Sequence, residues 1–122
     1  MPSQESVDRF TAQVVSGDHV GAIRDWYAED AWKQEHQGPR RVGRERLMSQ
    51  EAATLARVKS VDTELLEAPL IDGDRVAIHW RFIFTSKDGG VASIEEIAWQ
   101  RWRGNQVVEE VFFYDPRQTG GG

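Results

Sequence analysis

Asp74-Arg75-Val76-Ala77-Ile78-His79-Trp80-Arg81-Phe82-Ile83-Phe84-Thr85-Ser86 is the stretch that decides the fold. Val76, Ile78, Trp80, Phe82 and Phe84 alternate with Ala77, His79, Arg81, Ile83 and Thr85, the period of two by which a strand sorts its two faces. The first set has no polar interruption and must face a core. The second set is mixed, so that face is only partly apolar.

The same period continues on both sides. Ser60–Glu67, Val91–Arg103 and Val107–Tyr114 are further strand candidates. Turn chemistry separates them, at Pro69 with Asp72-Gly73-Asp74, at Lys87-Asp88-Gly89-Gly90 and at Gly104-Asn105. Short turns between long strands make the neighbours antiparallel. Upstream the period becomes helical. Val7, Phe10, Val14 and Val15 recur at three- and four-residue spacing, with Ser3 or Ser6 as cap and Gly17 as terminator. Asp18 caps a second helix that carries Ile23, Trp26 and Tyr27 on one side. Ala31 to His36 reads as a short strand closed by Gly38-Pro39, and Arg44–Ala56 as a third helix striped by Leu47, Met48, Ala52 and Leu55. Helices followed by an antiparallel meander give the α+β class, with the helices covering one face of a curved sheet.

A chain of 122 residues fits one domain, 1–122, ordered over about 7–116 and ending in a flexible tail over 117–122. It has no cysteine, so neither a disulfide framework nor thiolate metal ligation is expected. Three scattered histidines without ligand spacing argue against a metal site, and no cofactor is expected. The net charge of −5 argues against nucleic acid as a partner. Arg40-Arg41-Val42-Gly43-Arg44-Glu45-Arg46, the one basic run, reads as a solvated loop leading into the third helix. The polar start Met1-Pro2-Ser3-Gln4-Glu5 does not look like a signal peptide, and no apolar run suits a membrane, so the expected location is cytoplasmic.

Face assignment yields two expectations. Ile83, Ile97, Trp99, Val111 and Phe113 share the face away from the helices, which predicts a homodimer packed sheet against sheet. Glu95 and Glu96 point to opposite faces, as do Glu109 and Glu110, so only one of each pair can face the helices. On the third helix Glu51 lies between Leu47 and Leu55, four residues from each. A buried, unpaired carboxylate costs several kcal/mol, so Glu51 must find a partner or raise its pKa.

Phe10 through Gly17-Asp18, Trp26-Tyr27-Ala28-Glu29-Asp30-Ala31, Gly38-Pro39 with Gly43, Gly73-Asp74-Arg75-Val76-Ala77 and the closing Val108-Glu109-Glu110 with Phe113-Tyr114-Asp115-Pro116 resemble the nuclear transport factor 2-like superfamily. The most similar branch is that of the SnoaL-like polyketide cyclases and ketosteroid isomerases, over roughly Val7 to Pro116. The resemblance implies a cone: three helices packed on a strongly curved antiparallel sheet that encloses a pocket. It also implies a choice among isomerases, cyclases, dehydratases, epoxide hydrolases and binding or scaffolding domains, so fold alone does not set function. The isomerases' general base corresponds to Glu35, whereas their two oxyanion donors fall on Phe10 and Ala98, which cannot donate. The epoxide hydrolases' Arg-x-Asp pair and the dehydratase's paired histidines are absent, although Glu96 and Glu110 offer two carboxylates.

Two functions remain open. The first is an enzyme in which Glu35, Glu51 or Glu110 acts as general base, with Tyr114 as hydrogen-bond donor. Phe10, Trp26, Tyr27, Trp80, Phe82, Glu96 and Phe112 would then hold a small apolar or amphipathic molecule. The second is a non-catalytic ligand-binding or dimerisation module. His36 is expected at the rim and His79 on the outer face.

Overall fold

Two side-chain caps start the first helices, as the sequence predicts. Ser3 Oγ accepts from the Ser6 amide at 3.1 Å, and Asp18 Oδ1 accepts from the Gly21 amide at 3.1 Å. A Cβ at Gly21 would lie 2.2 Å from Asp18 Oδ2, so the cap carboxylate packs over the space a side chain there would take. The computed structural model describes residues 1–119, the last without its side chain. Among them the order is α1 (Gln4–Val15), α2 (His19–Trp26), β1 (Tyr27–Glu35), β2 (Arg41–Val42), α3 (Arg44–Ala56), β3 (Ser60–Leu65), β4 (Leu70–Asp72), β5 (Arg75–Thr85), β6 (Val91–Arg103) and β7 (Gln106–Tyr114). None of these helices is long and apolar enough to cross a membrane.

The expected tail begins as structure. Pro116–Thr119 forms a 3-10 turn, and the Gln118 amide pins it by exchanging hydrogen bonds of 3.0 Å with the Glu95 backbone. Gly120 to Gly122 lie outside the described residues.

The strands form one sheet in the order β2-β1-β7-β6-β5-β3, with β4 also paired to β5. β3 pairs with β5, β5 with β6 and β6 with β7 in antiparallel fashion, as their turns require. β1 lies parallel to β7, which makes the sheet mixed. The basic run is not all loop: Arg41–Val42 pairs with β1, and Arg40 stacks 4.0 Å over the Trp32 ring. Gly43, at φ 105°, then turns the chain into α3 in a conformation that glycine adopts cheaply.

Strand register assembles the inner face in rows. Lys33, Glu110, Gln100 and Val76 are neighbours across β1, β7, β6 and β5. Glu35, Phe112, Ala98 and Ile78 form the next row, and Tyr114, Glu96 and Trp80 the one after. Successive rows on one face stand about 6.5 Å apart. Val76, Ile78, Trp80 and Ala98 are at most 2% exposed and pack against Val7, Phe10, Ile23 and Leu47 from the helices. Burial of such side chains contributes about 1.5–3 kcal/mol each for the larger ones. Phe82 and Phe84 continue the face but are only half-buried, because the helices diverge from the sheet there and leave a cavity.

Candidate functional site

The cavity, about 270 Å³, opens between α1, α2 and α3 and the inner face of the sheet. That is at the lower end of the size of small-molecule sites. Its apolar wall is Phe10, Tyr27, Trp80, Phe82, Phe84 and Phe112. Trp26, expected in that wall, does not line it. Its indole donates to Gln13 at 2.8 Å and packs edge-on to Phe10, so it serves the core beside the cavity.

All four glutamates put forward from the sequence reach the cavity, each with a different environment. Glu110 is 2% exposed and heavily engaged. The Tyr27 hydroxyl donates to Oε1, Gln100 Nε2 donates to Oε2 at 2.6 Å, and Lys33 Nζ stands 3.6 Å from Oε1. The direction of this relay is fixed by Trp102, whose indole can only donate. It donates to Gln100 Oε1 at 2.8 Å, so the Gln100 amide nitrogen faces Glu110. Burial, with Glu110 beside it, pushes the Tyr27 phenol well above its ordinary range.

Glu96 has none of this support. Among the described residues its carboxyl makes no hydrogen bond. Burial raises its pKa to about 8, with Glu110 adding to the rise and Lys33 opposing it. Glu35 ends β1 at the rim and accepts from the Tyr114 hydroxyl at 3.1 Å. Burial and Glu35 both raise the Tyr114 pKa. Glu51 finds a partner in His19, with Nδ1 at 3.6 Å from Oε1.

Sequence reasoning missed His19, Lys33 and Gln50, all of which line the cavity. His19 is 6% exposed, meets Thr63 Oγ1 at 2.8 Å through Nε2, and has its pKa lowered by burial against the opposing pull of Glu51. It sits four residues before Ile23, a position the helical stripe already marks. Lys33 shares the period of two with Ala31 and Glu35. Gln50, with Leu47, Glu51 and Thr54, gives α3 a polar inward face at helical spacing, and its buried Oε1 has no partner among the described residues. Ala52, expected in the stripe, is exposed.

The outer face holds the remaining candidates. Glu95 and Glu109 point outward, the former to His79 at 2.7 Å and the latter to Arg101 and Arg75. His79 also meets Glu67 at 2.7 Å, and its pKa rises chiefly through that bond. His36, at φ 52°, does not line the cavity; its ring packs 4.6 Å from that of Tyr114 and 6.1 Å from that of Phe113.

A family model described as a SnoaL-like domain matches residues 7–110. No curated protein matches the chain. Among solved structures, a candidate SnoaL-like polyketide cyclase from Mesorhizobium loti is 26% identical, with 90% of this chain and 97% of that one covered, at a TM-score of 0.75. A protein of ketosteroid isomerase-like fold from Catenulispora acidiphila, in complex with trimethylamine, is 22% identical over 95% and 92% of the two chains at 0.77. TerC, co-crystallised with polyporic acid, is 15% identical over 95% and 93% at 0.78. The last two show likeness of fold alone.

Proposed function

The chain belongs to the SnoaL-like domain family, and from that premise we propose that it is a cofactor-independent acid–base catalyst acting on a small, largely apolar molecule, with Glu96 as the group that takes and returns the proton. The reaction class is isomerisation, cyclisation, dehydration or addition of water. Each of these turns on one proton moved at a shielded carbon or oxygen.

One observation carries the reading. Glu96 lines the cavity without a hydrogen bond, and its pKa of about 8 keeps both protonation states accessible near neutral pH. Glu110, the more buried carboxyl, is less suited because Tyr27 and Gln100 already occupy its oxygens. Glu35 with Tyr114 forms a polar pair at the mouth, and Glu51 with His19 a second on the helix side. Phe10, Tyr27, Trp80, Phe82 and Phe112 give the ligand its apolar surroundings. The trimethylamine and polyporic acid held by two relatives of this fold are consistent with a ligand-holding cavity.

The test is exchange of the α-hydrogens of 2-tetralone in deuterated buffer, followed by NMR. The wild type should accelerate exchange, and Glu96→Gln should lose about 10²–10⁴ of that acceleration, the usual worth of a placed acid–base group. Equal rates for the two proteins would remove Glu96 from the role. A second reading, a binding module that pairs through its outer sheet face, is favoured by Ile97, Trp99 and Phe113, which are 38%, 41% and 46% exposed. Ile97 and Phe113 are direct cross-strand neighbours, so the patch is continuous.

A further inference from the structure

We infer that Lys33 is the oxygen-binding group of the cavity, and that the ligand is a small aromatic molecule whose carbonyl, phenolate or carboxylate oxygen docks on its ammonium. The inference rests on the acid–base reading of the same cavity and names the ligand class that such a site takes.

Lys33 stands on β1 directly beside Glu110 of β7, with its side chain 12% exposed. Its Nζ lies 5.2 Å from the Tyr27 ring centre and 5.4 Å from that of Phe112. Both rings and Lys33 itself line the cavity. An ammonium carries three donors. The Glu110 oxygen at 3.6 Å balances its charge but is beyond ordinary N–H···O reach, and that oxygen already accepts from Tyr27. Among the described residues Lys33 Nζ donates no hydrogen bond. A cation shielded from water and short of acceptors gains most from an oxygen brought to it by a ligand. The Tyr27 and Phe112 rings around Lys33 select a flat aromatic body for the ligand.

The probe is 4-nitrophenol, whose phenolate form is read by its visible absorption. Titrated from pH 5 to pH 9 with the wild type, its ionisation midpoint should fall by about one unit on binding, a roughly tenfold preference for the phenolate. Lys33→Met should abolish the shift and Lys33→Arg should keep it. Removing Lys33 leaves Glu110 without its cation, so thermal melts accompany each variant. Should Lys33→Met fail to fold, Lys33→Gln, which keeps a donor without charge, serves the same comparison. No binding by the wild type, no shift on binding, or a shift that survives loss of the charge overturns the inference. A wild type that shifts nitrophenol without accelerating 2-tetralone exchange keeps the Lys33 site and refutes the acid–base reading, and the reverse result does the opposite, so the two readings fail separately.

Discussion

Glu96 and Glu110 share one face of the sheet, and their fates differ because of what surrounds each. Glu110 has Tyr27, Gln100 and Lys33 within reach, whereas Glu96 has only burial and neighbouring charge. A carboxyl whose pKa rises on folding from 4.5 to about 8 favours the folded state in its protonated form. Its contribution is therefore complete below pH 4.5 and declines as pH rises from 4.5 through 8. We expect Glu96→Gln to melt higher than the wild type at pH 7, by about 3 kcal/mol for 2.5 pH units above 4.5, and at the same temperature below pH 4.5. Thermal melts across that range check it, and matching curves at every pH would contradict it. That one of these glutamates faces inward was legible from the period of two. Which one stays unpaired was not, because Tyr27 and Lys33 come from a strand far away in sequence.

β5 shows how much of an element can be read from its own residues. Its uninterrupted set Val76, Ile78 and Trp80 is buried, and Val91–Arg103 and Arg44–Ala56 form with the bounds their patterns predict. β1 was legible only in its second half. The apolar spacing of α2 runs through Tyr27, yet Tyr27 is extended, at φ −92° and ψ 141°. Its pairing with Val107 of β7 and the hydroxyl bond to Glu110 override the local helical preference. The parallel pairing was hidden for the same reason, since no turn connects β1 to β7. β2 and β4 are too short for a period of two to register. On α3 Glu51 is legible from its place between Leu47 and Leu55, whereas Gln50 and Thr54 carry no such signal until the cavity beneath them is seen. An element that borders a hollow obeys the geometry of a core helix and the chemistry of a site.

At the scale of the molecule, the cavity and the outer face of the sheet are two partly apolar surfaces left open among the described residues. Ile97, Trp99 and Phe113 are exposed on a sheet whose neighbouring charges are mostly paired, Arg75 lying 5.5 Å over the Trp99 ring. We expect a dimer by light scattering at micromolar concentration and a monomer for Trp99→Lys. A wild-type monomer would contradict pairing through this face. The cone implied by the family resemblance supplies the hollow, and the rows of the inner face decide what stands in it. Lys33 and Glu110 occupy one row, with Gln100 behind them, and Tyr114 and Glu96 another, so two carboxyls, a phenol and an ammonium face one small volume. The chemistry proposed for the cavity turns on the proton carried by Glu96. Carbon-detected NMR of the glutamate side-chain carboxyls, titrated from pH 3 to pH 10 and assigned with Glu96→Gln, measures it directly. The predicted result is a midpoint near 8 for Glu96. A midpoint near the ordinary glutamate value of about 4.3 would contradict the account.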